Sequence, residues 1–241
     1  MNDFDVVKIN DSEDSLTFSN NKSQGHKLKG RNLIGRADNY VVIDIETTGL
    51  DADCDEIIEV AAARVRDGAV SEKFSSLIKP ENTINEFIVN LTGITNEMVK
   101  AAPPSEIVLK DFVDFVGKGL IVGHNVNFDI NFLYNNCREK IGYVFANNFI
   151  DTMRLSRILF TNEKQHKLSD LINRFGIGTV VEHRALGDVL QTQKCYEYMI
   201  NYSIKNNVKM KYLLANGKPF SERKRKVNEN DFDYMDNLFA D

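Results

Sequence analysis

The stretch Tyr40-Val-Val-Ile-Asp-Ile-Glu-Thr-Thr-Gly-Leu50 restricts what this chain can become more than any other. Val41, Val42, Ile43 and Ile45 read as a central strand buried on both faces, yet Asp44 and Glu46 are embedded in it and a glycine stops it. Side chains two apart on a strand leave the sheet on the same side, so the two carboxylates stand together. Adjacent anions repel, and burying them without a positive partner is expensive. A divalent cation between them is the simplest remedy. An Asp-x-Glu can also be a solvated strand edge, but the apolar flanks weigh against that reading.

Charge and cysteines narrow the class. The 241 residues carry 30 Lys and Arg against 35 Asp and Glu, a net charge of -5, which does not by itself suggest a phosphate-binding surface. Bound divalent ions would alter the local field, so nucleic acid stays open as a substrate. Cys54, Cys137 and Cys195 share no metal-ligand spacing and fit a reducing compartment. No apolar run reaches the ~18 residues of a membrane span, and the polar start Met1-Asn-Asp-Phe-Asp5 has no signal-peptide character. A cytoplasmic protein without membrane contact is the expectation.

Along the chain, residues 1–38 are polar and poor in apolar periodicity, which predicts a flexible or loosely docked extension. Residues 39–206 form the predicted domain. Tyr40–Glu46, residues 56–66 and Lys73–Ile78 read as an antiparallel three-stranded meander, with Asp67-Gly68 as the hairpin turn between the second and third strands. Short helices follow around Asn85–Asn90 and Asn96–Ala101, and Pro103-Pro104-Ser105 opens a firmer helix. Gly119–His124 is a short buried strand, Asn127–Glu139 a helix and Phe149-Ile150 a strand fragment. Asp151 reads as a helix N-cap, and helices are predicted at Thr152–Phe160, Lys167–Phe175 and Arg184–Asn206. The fold class is therefore α/β, a mixed sheet with helices layered on it. Residues 207–241 are a C-terminal tail containing Arg223-Lys-Arg-Lys226.

Two segments place a histidine five positions before an aspartate: His124-Asn-Val-Asn-Phe-Asp129 and His183-Arg-Ala-Leu-Gly-Asp188. Five residues turn about 140° on a helix, so neither pair shares a face if both members lie inside one. Each histidine must precede its helix: His124 anchored at a strand end, His183 in a loop that can swing. Each group alone is ordinary, since a lone His is more often structural and an Asp in a first helical turn often just favours the dipole.

Together, Asp-Ile-Glu-Thr-Thr-Gly, His-Asn-x-x-Phe-Asp and His-x-x-x-x-Asp, in this order, resemble the three motifs of the DEDDh 3'-5' exonuclease superfamily, which includes proofreading subunits of bacterial DNA polymerase III. The resemblance spans about Asn39 to Asn206 and implies a ribonuclease H-like sheet. It implies that Asp44, Glu46, Asp129 and Asp188 hold two divalent cations, Mg2+ or Mn2+, that can clamp the attacking and leaving oxygens at phosphorus. It implies His183 as the general base, taking a proton from water near neutral pH. The product would be a nucleoside 5'-monophosphate from a single-stranded or frayed 3' end of DNA; RNA is the alternative substrate. The terminal nucleotide would meet Thr47, Thr48, Gly49 and Leu50, with Gly49 permitting close approach. Leu50 and Phe128 would touch the base, Leu91 and Thr92 would wall its far side, and His124 and Asn125 would contact sugar or position Asp129. Met235–Phe239 loosely resembles sliding-clamp peptides, which implies clamp or polymerase docking. A non-catalytic replisome module that keeps only the fold is the reading from another class.

Overall fold

The computed structural model describes residues 29–178, 184–214 and 217–220. Strand β1 (Asn32–Leu33) precedes the long strands β2 (Tyr40–Thr47), β3 (Ile57–Arg66) and β4 (Ala69–Leu77). Helices α1 (Glu86–Thr92), α2 (Asn96–Lys100) and α3 (Ser105–Val116) lead to β5 (Ile121–Gly123) and α4 (Asn127–Ile141). After β6 (Phe149–Asp151) come α5 (Thr152–Leu159), α6 (Leu168–Phe175) and α7 (Ala185–Lys205), then the short pair β7 (Tyr212–Leu213) and β8 (Pro219–Phe220).

One six-stranded sheet runs in the order β1-β6-β5-β2-β3-β4. The β2–β3–β4 meander is antiparallel, and β1, β6, β5 and β2 pair in parallel, which is the mixed sheet expected from sequence. Strand alternation divides β2 and β3 between two cores. Val42, Ala61 and Ala63 pack under α5, α6 and α7 with Leu155, Leu171, Val189, Tyr196 and Met199. Val41, Ile43, Ile45, Val60 and Ala62 pack on the other face under α3 and α4 with Leu109, Phe112, Ile130 and Leu133. Three alanines in a row on β3, Ala61 to Ala63, are all fully buried and let helices approach from both sides.

What positions the site is the way β2 and β5 part. They pair only at Val41↔Ile121 and Val42↔Val122, while β5 continues alongside β6 to Asp151. Beyond Val42 the β5-facing edge of β2 is open. A divergence of neighbouring strands at their carboxyl ends is where open α/β sheets accept ligands.

The segments predicted as tails join the fold over part of their length. β1 pairs with β6 through Asn32↔Phe149 and Leu33↔Ile150, covering what would be a bare sheet edge. Ala37 is fully buried, Arg36 N–H donates to Lys211 O at 2.9 Å and Leu213 N–H donates to Arg36 O at 2.7 Å. The Tyr212 hydroxyl donates to Asp38 at 2.6 Å. Two-residue strands are too short to show a period, so these pairings cannot be read from the sequence. Asp151 caps α5 as expected, accepting from Met153 N–H and Arg154 N–H. The three cysteines are free thiols. Among the described residues no helix is long and apolar enough to cross a membrane. The predicted loop histidine His183, the basic run Arg223–Lys226 and Met235–Phe239 lie outside the described residues.

Candidate active site

At the carboxyl end of β2, Asp44 and Glu46 leave the sheet on the face covered by α7, whose first turn carries Asp188. Carboxylate oxygens of these three, all partly buried, lie within 4.8 Å of one another. Asp129 arrives from the first turn of α4, on the other face, and is 4% exposed. Its Oδ1 accepts the Ile45 N–H at 3.0 Å, filling the open edge that β5 leaves beside β2. Ile45 lies between Asp44 and Glu46, so Asp129 is fixed against the backbone that carries both. The structure thus gathers Asp44, Glu46 and Asp188 directly and ties Asp129 to the strand linking two of them.

Burial and mutual repulsion disfavour the ionised forms of these carboxylates. Burial, with Asp129, Asp188, Glu46 and Glu59 adding repulsion, pushes Asp44 well above the usual carboxylate range. Burial and the Asp188 and Glu59 carboxylates push Glu46 up to about 7, although Arg184 pulls the other way. Burial also raises Asp129, opposed by the Ile45 N–H and aided by Glu46. Hard oxygens this close together, with protons held above their normal range, suit a divalent cation.

A pH dependence follows. Between ~4.3, where an unfolded glutamate ionises, and about 7, the folded metal-free protein keeps a Glu46 proton that the unfolded chain has released. Stability from this group therefore falls as pH rises through that window and is flat beyond it. Glu46→Gln removes the titration. Urea unfolding in EDTA should show the wild type losing stability relative to Glu46→Gln, by on the order of 2–3 kcal/mol between pH 5 and pH 8. A difference independent of pH would contradict the assigned crowding.

The other predicted residues divide into framework and open surface. The Thr47 hydroxyl donates to Gly49 O at 2.6 Å, and Thr48 Oγ1 accepts Glu56 N–H at 2.9 Å, so both hold the turn. At Gly49 a Cβ would overlap the Asp55 carboxylate, which accepts Asp51 N–H, so the glycine makes room for Asp55. Thr92 is 3% exposed, with its hydroxyl donating to Ile88 O and accepting Ile94 N–H, so it packs the α1 terminus. Leu91 is exposed. Leu50, 87% exposed, and Phe128 line an open groove of about 490 Å³ whose floor includes Ala52 and Phe132.

His124 is anchored, as its place at a strand end predicts. Thr152 Oγ1 donates to Gly123 O at 3.1 Å, so it accepts from His124 Nδ1 at 2.9 Å and fixes that tautomer. Burial holds the His124 imidazole down at about 4, neutral at physiological pH. Asn125, at φ 57, gives its N–H to Asp151 Oδ1 at 3.0 Å. Sequence reasoning overlooked Glu59 and Arg184. Glu59 is 2% exposed and sits directly across from Glu46 on β3, bound by the Arg184 guanidinium through two hydrogen bonds of 3.1 and 2.8 Å. The signal was available: an acid inside Ile57-Ile-Glu-Val60 needs a partner as much as Asp44 does.

Fold and site together define a class, a ribonuclease H-like nuclease domain with its acids at the end of the central strand. The chain belongs to the exonuclease family (RNase_T), whose pattern matches residues 41–196. It is 40% identical over 176 residues to DNA polymerase III subunit epsilon of Aquifex aeolicus (strain VF5), covering 73% of this chain and 86% of that protein. It is also 40% identical over 154 residues to the PolC-type DNA polymerase III of Listeria welshimeri, covering 64% of this chain but 11% of that relative, so it spans about a tenth of such relatives' length. The crystal structure of E. coli exonuclease I in complex with a dT13 oligonucleotide has a TM-score of 0.61 at 20% identity, over 70% of this chain and 42% of that one, a likeness of fold. The DEDDh exonuclease resemblance read from the three motifs agrees with this membership.

Proposed function

We propose that the protein is a 3'-5' exonuclease that hydrolyses the terminal phosphodiester of DNA and releases nucleoside 5'-monophosphates, in replication or repair. The observation that carries this reading is the convergence of Asp44, Glu46 and Asp188 within 4.8 Å, in a chain of the exonuclease family. Asp44, Glu46, Asp129 and Asp188 would hold two divalent cations, Mg2+ or Mn2+. Bound there, such ions would offset the cluster's charge, acidify water and stabilise both the attacking and the leaving oxygen.

The protein's own residues do the rest. Asp44 and Glu46 keep a fixed spacing because both stand on one central strand, and Asp129 braces that strand through Ile45. Leu50 and Phe128 offer the terminal bases an apolar surface that tolerates any sequence. His183 would take the proton from the attacking water. The Aquifex relative is named as a subunit of DNA polymerase III, which supports work beside a replicative polymerase, and Met235–Phe239 is the segment we would assign to docking on polymerase or clamp.

A 3'-labelled and a 5'-labelled single strand, as DNA and as RNA of the same sequence, test the reading with Mn2+ and with EDTA. The expected result is immediate loss of the 3' label as mononucleotide, a descending ladder from the 5'-labelled strand, faster cleavage of DNA and silence in EDTA. Internal cuts, or label lost first from the 5' end, would contradict it.

A further inference from the structure

Glu59 is a buried acid outside the four-carboxylate set. It faces the same side of the sheet as Glu46, its partner across the β2–β3 ladder, and stands beneath the start of α7. Arg184 Nε donates to Glu59 Oε2 at 3.1 Å and Arg184 Nη2 to Oε1 at 2.8 Å, a two-pronged geometry that fixes direction as well as distance. Glu59 Oε2 also accepts the N–H of Ala185, the first residue of α7, at 3.1 Å. That N–H is one of the orphan donors of a helix start, and Arg184 itself makes no side-chain cap there. A strand residue therefore caps the helix that carries Asp188. The first turn closes from this point, since Asp188 N–H donates to Arg184 O at 3.1 Å.

We propose that Glu59 and Arg184 are positioning residues for the acidic site: their clamp seats the first turn of α7 on β3 and thereby sets Asp188 against Asp44 and Glu46. This rests on the metal-dependent exonuclease reading. The rest of α7 has its own attachments. Val189, Cys195, Tyr196, Met199 and Ile200 lie in the core, Gln193 donates to Gly68 O at 3.0 Å and Glu197 accepts the Tyr40 hydroxyl at 2.6 Å. Losing the clamp frees one turn while the helix stays docked. Arg184 also keeps Glu59 from adding a fifth uncompensated negative charge beside Glu46.

The test uses the full chain and the variants Glu59→Gln, Arg184→Ala, their combination, and Arg184→Lys. Gln keeps the shape and one acceptor but loses the charge; Lys keeps the charge but loses the fork. For each, thermal melting, Mn2+ affinity by calorimetry, and kcat and KM on a 3'-ended oligonucleotide are read. Glu59→Gln and Arg184→Ala are expected to melt as folded proteins, to lose about 10–100-fold in both Mn2+ affinity and kcat, and to change KM little. The double variant should lose no more than the worse single one, because both changes break one clamp. Should Glu59→Gln fail to fold, Arg184→Lys carries the test with the same pattern at smaller size. Mn2+ affinity and kcat both near wild type, or losses that multiply in the double variant, would overturn the proposal. Wild-type protein that binds Mn2+ but cleaves nothing would contradict the exonuclease reading instead, and the affinity series would still report on the clamp.

Discussion

Asp44→Asn is expected to abolish turnover, by at least about a thousandfold, while making the metal-free protein more stable at pH 8. Both effects have one cause. Asp44 is crowded by Asp129, Asp188, Glu46 and Glu59 in a partly buried site, and its ionised form is disfavoured there. Asn keeps the shape and removes the charge, relieving repulsion that Arg184, paired with Glu59, balances only in part. The same charge is what would hold a cation, so its loss weakens the site that the others complete. Calorimetry should show Mn2+ raising the melting temperature of wild type and barely moving that of Asp44→Asn. An Asp44→Asn protein that is less stable in EDTA at pH 8, or that keeps most of its activity, would break this account.

His183→Ala is expected to lower kcat by about 10²–10⁴-fold with Mn2+ affinity nearly unchanged. A protonated imidazole cannot accept a proton, so the wild-type rate should climb as pH rises from the acid side and then level off. In the variant that rise should flatten, because the group that titrates there is gone. A variant that keeps the wild-type pH profile at reduced height would assign the proton to another acceptor. His124 does not fit that part: its Nδ1 is held by Thr152 and burial keeps the ring neutral down to about 4.

Much of the site is legible in the sequence because strand periodicity is strict. An aspartate and a glutamate two apart within Val41–Thr47 have to share a face, and a histidine five before an aspartate has to precede its helix. Those rules place Asp44, Glu46, Asp129 and Asp188 on the right elements, and the meander and most helices follow from their apolar periods. Three things are hidden for physical reasons. β1 and β7, two residues each, carry no period, so their pairing with β6 and β8 shows only in three dimensions. The local partners of Gly49 and Thr92 are hidden too: Asp55 fills the space beside one, and the hydroxyl of the other donates to Ile88 and accepts from Ile94. That Glu59 needs a partner is legible, but that the partner is Arg184, 125 positions away, is not, because no local pattern joins residues that distant.

Hydrolysis in H2(18)O tests the central claim, that the carboxylate cluster directs water at the terminal phosphorus. Single-turnover digestion of a 3'-ended DNA strand with Mn2+, read by mass spectrometry, is predicted to give nucleoside 5'-monophosphates each carrying one 18O, and nothing from Asp44→Asn. Nucleoside 3'-phosphates, or 5'-monophosphates without the label, would contradict it.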